Sequence, residues 1–179
     1  MSEPSYGAVP AAPDAPALSV GKPIDFSAEV PVIPPFATAV IGLVGIVLWL
    51  LLPLNIMSAT FWTRLLMSCA LMSVWILTNF WVFRTLAAHD TGPAFTPVKG
   101  LAREGAFRYS RNPLYVVLLI CVLPTLGLLI NSWWPILLTP GLFVYLHVWV
   151  IPAEEQFLSK IFGAEYQEYC ASTPRYLCC

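Results

Sequence analysis

The chain has 179 residues, 58% of them hydrophobic and only 11% charged, with a formal net charge of −1. That apolar share exceeds the roughly 45–50% of a soluble domain and points to a bilayer as solvent. Nine lysines and arginines are too few to track a phosphate backbone, so nucleic-acid binding is excluded, and the length fits one domain.

Residues 1–35, opening MSEPSYGAVPAAPDAP, are dominated by Pro and Ala, with acids at Glu3, Asp14, Asp25 and Glu29. Nothing there can build a core, and the composition predicts an extended tail. The opening residues lack a basic stretch followed by an apolar one, so no secretory signal is expected.

From residue 36 onward the chain reads as one membrane domain. Four stretches meet the requirement of about 20 apolar residues per crossing: about 36–54, 61–83, 114–130 and 133–151. Trp62, Trp81, Trp133, Trp134 and Trp149 fall near the expected span ends, as an interfacial aromatic belt requires. Arg64, near the start of the second stretch, is placed to snorkel to the interface.

The polar connections separate by charge. Residues 84–113 carry Arg84, Lys99, Arg103, Arg108 and Arg111, and the segment after the fourth span carries Lys160 and Arg175. The opposite turns, near Asn55 and Asn131, are short and nearly uncharged apart from adjoining Arg64. The positive-inside rule therefore places both termini and the long loop on the cytoplasmic side or its organellar equivalent.

Within that loop, FRYSRNPLYV places two arginines and an Asn-Pro at the mouth of the third span. Pro113 suits the first turn of a helix and pushes Asn112 out of helical geometry, which makes Asn112 the expected N-cap. A helix start of this kind favours an anionic group.

After the fourth span, AEEQFLSKIFGAEYQEY repeats apolar residues at three- and four-residue spacing and predicts an amphipathic helix over about 153–170. Pro152 precedes it, and Glu154 and Glu155 fall in its expected first turn, where the helix dipole favours negative charge. Read alone, the acidic pair is a helix start, and Tyr166 and Tyr169 are core or interface aromatics. The five cysteines show neither a disulfide framework nor a zinc spacing, and His89 and His147 stand far apart, so no metal site is expected. His147 lies inside a span, where an ionisable residue is a functional candidate and a packing histidine an equal alternative. Cys178 and Cys179 resemble a lipidation signal, with unmodified thiols the simpler reading.

The stretch HDTGPAFTPVKGLAREGAFRYSRNPLYVV, followed by EEQFLSKIFGAEYQEYCASTPRYL, resembles the isoprenylcysteine carboxyl methyltransferase and phospholipid methyltransferase family. The resemblance rests on Leu101, Gly105, Phe107, Arg108, Arg111, Asn112, Pro113 and Tyr115, and then on Glu154, Glu155, Leu158, Phe162, Gly163, Tyr166, Tyr169 and Arg175. Their order and spacing around an apolar hairpin carry it over residues 89–177. Asn112 stands where prenylcysteine-specific eukaryotic members carry His, and VWVIPA before Glu154 offers no arginine.

The resemblance implies an all-α integral membrane fold with four transmembrane helices plus a C-terminal amphipathic helix. It also implies methyl transfer from S-adenosyl-L-methionine to a lipophilic or small acceptor. Such a cofactor wants a carboxylate, a cation and aromatic faces. Glu154 and Glu155 can supply the first, Arg108, Arg111 or Arg175 the second, and Phe107, Tyr115, Tyr166 or Tyr169 the third, and the resemblance places Gly105, Asn112 and Pro113 among the cofactor-binding residues as well. Glu155 and Arg111 are the expected catalytic pair. The competing expectation is a non-catalytic descendant that serves as a structural subunit of a membrane complex, with the N-terminal tail as its docking segment. A nicotinamide-dependent reductase on a related fold has no support in the residues.

Overall fold

The computed structural model describes residues 33–56, 60–88 and 100–177. Most of the Pro/Ala-rich tail, His89, Lys99, Cys178 and Cys179 lie outside the described residues. Among the described residues, four helices are long and apolar enough to cross a membrane: α1 (Pro34–Leu51), α2 (Phe61–Ala88), α3 (Pro113–Ile130) and α4 (Trp134–Phe162). A shorter helix, α5 (Ala164–Ser172), follows them. No strand occurs among the described residues, so the protein is an all-α membrane protein with four spans and a C-terminal helix.

The distribution of apolar side chains fits the bilayer. The buried cluster is small, formed by Leu123 of α3 with Leu142, Leu146, Val150 and Ile151 of α4. Phe36, Leu43 and Leu50 of α1 and Leu66, Leu77 and Phe80 of α2 are exposed instead. In water such faces would be a liability; in lipid they cost nothing. At the end away from the long loop, the Trp134 indole donates to the Leu52 carbonyl (2.7 Å) and the Trp133 amide to that of Leu54 (2.9 Å). The α1–α2 and α3–α4 turns are thereby tied together. Asn131 takes the left-handed conformation (φ 56°) that ends α3 and allows the tight turn.

Both α3 and α4 contain a wide π-turn, at Leu118–Val122 and Leu146–Val150, and each is followed two residues later by a proline, Pro124 and Pro152. A proline inside a helix lacks an N–H and crowds the carbonyl four residues back. The wider turn accommodates both problems without breaking the helix. Pro152 is therefore interior to α4, where the sequence suggests a helix start.

Length then places the polar end. At about 1.5 Å per residue, some 20 residues from Trp134 cross the hydrocarbon and bring the chain to Ala153, so Glu154 and Glu155 emerge at the membrane face. The stretch expected as one helix over about 153–170 is divided at Gly163 (φ 50°), which stops α4 and lets α5 fold back. Two short spans of sequence, 100–112 and 173–177, pack against this end.

Candidate functional site

The loop-side end is organised by hydrogen bonds between segments far apart in sequence. The Arg111 amide donates to the Pro174 carbonyl (2.9 Å). Ser110 Oγ (3.2 Å) and Asn112 Nδ2 (3.1 Å) both donate to the Arg175 carbonyl. Asn112 occupies the N-cap position of α3, but its side chain makes no cap bond there. It holds the returning chain instead, while Ser110 Oγ accepts from the Asn112 amide (3.1 Å). Pro113 takes the first-turn position and is buried.

Glu155 lies between two arginines. Arg111 Nη1 donates to its Oε1 at 2.9 Å, Arg175 Nε reaches the same oxygen at 3.0 Å, and Arg175 Nη2 takes Oε2. The Arg111 and Glu155 side chains are only 15% and 18% exposed, which makes this pair a sheltered contact rather than a surface one. Arg111 Nη1 also meets the Cys170 sulfur at 2.8 Å. Burial works against the guanidinium charge, but Glu155 and then Cys170 outweigh it and hold its pKa above the ordinary value. Its Nε is buried and bonds to nothing among the described residues.

Glu154 points elsewhere. One residue on along a helix turns by about 100°, so the acidic pair cannot face a single target. The Tyr115 hydroxyl of α3 donates to Glu154 Oε1 and joins the two spans at their polar end.

Two clefts flank α5. One, of about 460 Å³, is lined by Arg111, Pro152, Glu155, Gln156, Ser159, Tyr166, Gln167 and Cys170. The other, of about 690 Å³, is lined by Arg103, Glu104, Gly105, Arg108, Tyr169, Ser172 and Thr173. Tyr166 and Tyr169 sit one helical turn apart with ring centroids 6.2 Å from each other. The Tyr169 hydroxyl donates to the Phe107 carbonyl (2.7 Å) and fixes the loop on α5. Burial raises the pKa of both tyrosines, so each hydroxyl stays neutral.

The expected site residues are thus divided. Arg111, Glu155, Tyr166 and Arg175 come together, Tyr115 and Glu154 form a second pair, and Gly105, Phe107, Arg108 and Tyr169 belong to the other side of α5. The sequence reading passed over Cys170, Gln156, Ser159 and Gln167. The signal was there for two of them: Tyr166, Gln167 and Cys170 lie within four residues on one helix, close enough to share a face. His147 Nδ1 is 2.9 Å from the Tyr176 hydroxyl and its ring stacks on Phe143, so it anchors the chain after α5.

Gly105 opens a 3-10 turn with φ +59°, and a Cβ there would lie 2.5 Å from Thr85 Oγ1 of α2. Gly105→Ala is therefore expected to destabilise the protein by about 2 kcal/mol or more, read as a lower unfolding temperature in detergent.

No curated protein and no solved structure matches this chain. A family model described as "Phospholipid methyltransferase" matches residues 63–165, from the start of α2 to the start of α5. The match takes in Gly105, Arg111, Tyr115, Glu154 and Glu155, and stops just before Tyr166. Methyl transfer at a membrane is the functional class that this family implies. With more than half of its length matched, the chain belongs to the phospholipid methyltransferase family.

Proposed function

We propose that the protein transfers a methyl group from S-adenosyl-L-methionine to a lipophilic or small acceptor at the membrane face. The observation that supports this best is the cleft beside Glu155. Arg111 lines this space of about 460 Å³, and its buried Nε has no partner among the described residues. That volume lies in the range of about 300–1,000 Å³ usual for small-molecule sites. The Arg111 guanidinium suits a carboxylate, Glu155 suits an ammonium, and the Tyr166 ring suits an adenine or a sulfonium. Gln156, Ser159 and Gln167 add donors and acceptors for hydroxyl groups.

The bound cofactor would supply an electrophilic methyl on sulfur. What the chain contributes is alignment and shelter, and alignment alone can lower a barrier by about 7–11 kcal/mol. Arg111 and Glu155 hold the ligand's charged end. Glu154 lies outside the lining of this cleft, held by Tyr115 between α3 and α4, and would take the proton of an amine or thiol acceptor that approaches from that side. Pro152 in the lining puts the cleft where α4 leaves the bilayer, which favours a lipid-like acceptor. The arginine-rich end faces the cytoplasm or its organellar equivalent.

A second reading, a non-catalytic subunit of a membrane complex, draws on one observation: both Glu155 oxygens are already engaged by arginines. The two readings separate by calorimetry with S-adenosylhomocysteine on the purified full chain. Micromolar binding, weakened at least tenfold by Arg111→Ala, is expected. Well-folded protein that binds none of it would favour the structural subunit.

A further inference from the structure

The larger cleft, on the other side of α5, is not used by the methyl-transfer reading. Arg108 lines it, is exposed, and has no hydrogen-bond or ion-pair partner among the described residues. Arg103 lines it too. Its Nη2 bonds the Glu165 carbonyl (2.8 Å) and carboxylate (3.1 Å), and its Nη1 reaches Glu168 at 3.4 Å. The two carboxylates are 55% and 78% exposed, so these are weak contacts that a better anion can displace. Arg103 Nε is buried with no partner among the described residues. Ser172 and Thr173 add hydroxyls, and Glu104 brings one carboxylate to the lining.

Depth identifies the chemistry. Gly105, in the lining, abuts Trp81 and Thr85 in the last turns of α2, and Trp81 lies 6.3 Å from the Tyr109 ring. Trp and Tyr at the ends of spans mark the headgroup layer. The cleft therefore opens where lipid phosphates lie. Arginine is the side chain best matched to phosphate, because its planar donors meet two oxygens at once.

We propose that the cleft between the 103–108 segment and the end of α5 binds a phosphate group, with Arg108 as its principal ligand and Arg103 as the second. The ligand is a phosphate ester or free phosphate, and the position of the cleft favours the headgroup of a bilayer lipid. This site is separate from the one beside Glu155, and its occupancy does not require methyl transfer.

The test uses the full chain in a phosphate-free maltoside detergent, titrated calorimetrically with dihexanoyl phosphatidylglycerol, dihexanoylglycerol and inorganic phosphate. The phospholipid is expected to bind at least tenfold more tightly than its phosphate-free counterpart. Arg108→Ala should weaken it by about tenfold or more, as loss of a charge-assisted contact does, and Arg108→Lys should restore part of that loss. Arg64→Ala, the same charge change at the opposite end of α2, should leave it unchanged. Inorganic phosphate binding as tightly as the phospholipid would make the ligand a soluble anion; much weaker binding would make it a lipid. Equal affinity for dihexanoylglycerol, or unchanged affinity in Arg108→Ala, would overturn the proposal.

Discussion

Glu155→Gln is expected to abolish methyl transfer and to lower stability by about 2–3 kcal/mol. The carboxylate holds Arg111 of the loop and Arg175 of the C-terminal segment at once. An amide of the same size can accept from only one oxygen and carries no charge. Two sheltered guanidiniums would then face each other without a counter-charge. Breaking a fully buried pair costs about 3–5 kcal/mol and a surface pair about 0–1, and these side chains, 15–31% exposed, lie between. Activity with a phospholipid acceptor and thermal unfolding of the same sample separate the two effects. A variant that retains full turnover would remove Glu155 from the ligand site, whatever its stability. Arg175→Ala supplies the control: it removes one of the two cations and is expected to cost less than the Glu155 change.

Tyr115→Phe is the second large effect. The hydroxyl is the partner of Glu154 across α3 and α4 and joins these two spans at their polar end. Its removal leaves a half-buried carboxylate with no donor, a loss of about 1–3 kcal/mol. Glu154→Gln keeps a side-chain acceptor for the hydroxyl and should cost less stability. In the proposed reaction Glu154 is the proton acceptor, so the same change is expected to lower kcat at least a hundredfold with little change in S-adenosylhomocysteine affinity. A double-mutant cycle on the pair should give a coupling energy above about 1 kcal/mol. A tight-binding but slow Glu154→Gln enzyme would mark this residue as the base. An equally fast one would leave Glu154 as a structural link only.

Much of the architecture was legible because a bilayer imposes a simple rule: about 20 apolar residues for each crossing, with backbone polar groups satisfied inside a helix. Leu, Val, Ile and Phe runs reveal this without knowledge of neighbours. The helix start at Pro113 was also readable, since a missing N–H is tolerated in only a few places. Pro152 obeys the same rule in isolation, yet it lies inside α4. The π-turn at Leu146–Val150 that accommodates it is stabilised by packing against α3, where Leu123 joins Leu146 and Val150 in one buried cluster. Local reasoning has no access to that contact.

The sequence by itself determined the membrane class, the four spans, the gathering of cations at one end and the resemblance to methyltransferases of this family. Each of these depends on composition, spacing or order along the chain. Only the tertiary structure decided which cation meets which carboxylate. Glu154 and Glu155 are adjacent in sequence but serve different partners, Tyr115 and the Arg111–Arg175 pair, because successive helical residues diverge around the axis. Arg108 and Arg111 likewise stand three residues apart and open into different clefts, because the chain leaves its 3-10 turn at Tyr109 before α3 begins at Pro113. Charge along the chain is one-dimensional information. The sites are made by the return of residues 173–177 onto the 110–112 segment, and that return is fixed by the turn at Gly163 and by backbone carbonyls that carry no sequence signal.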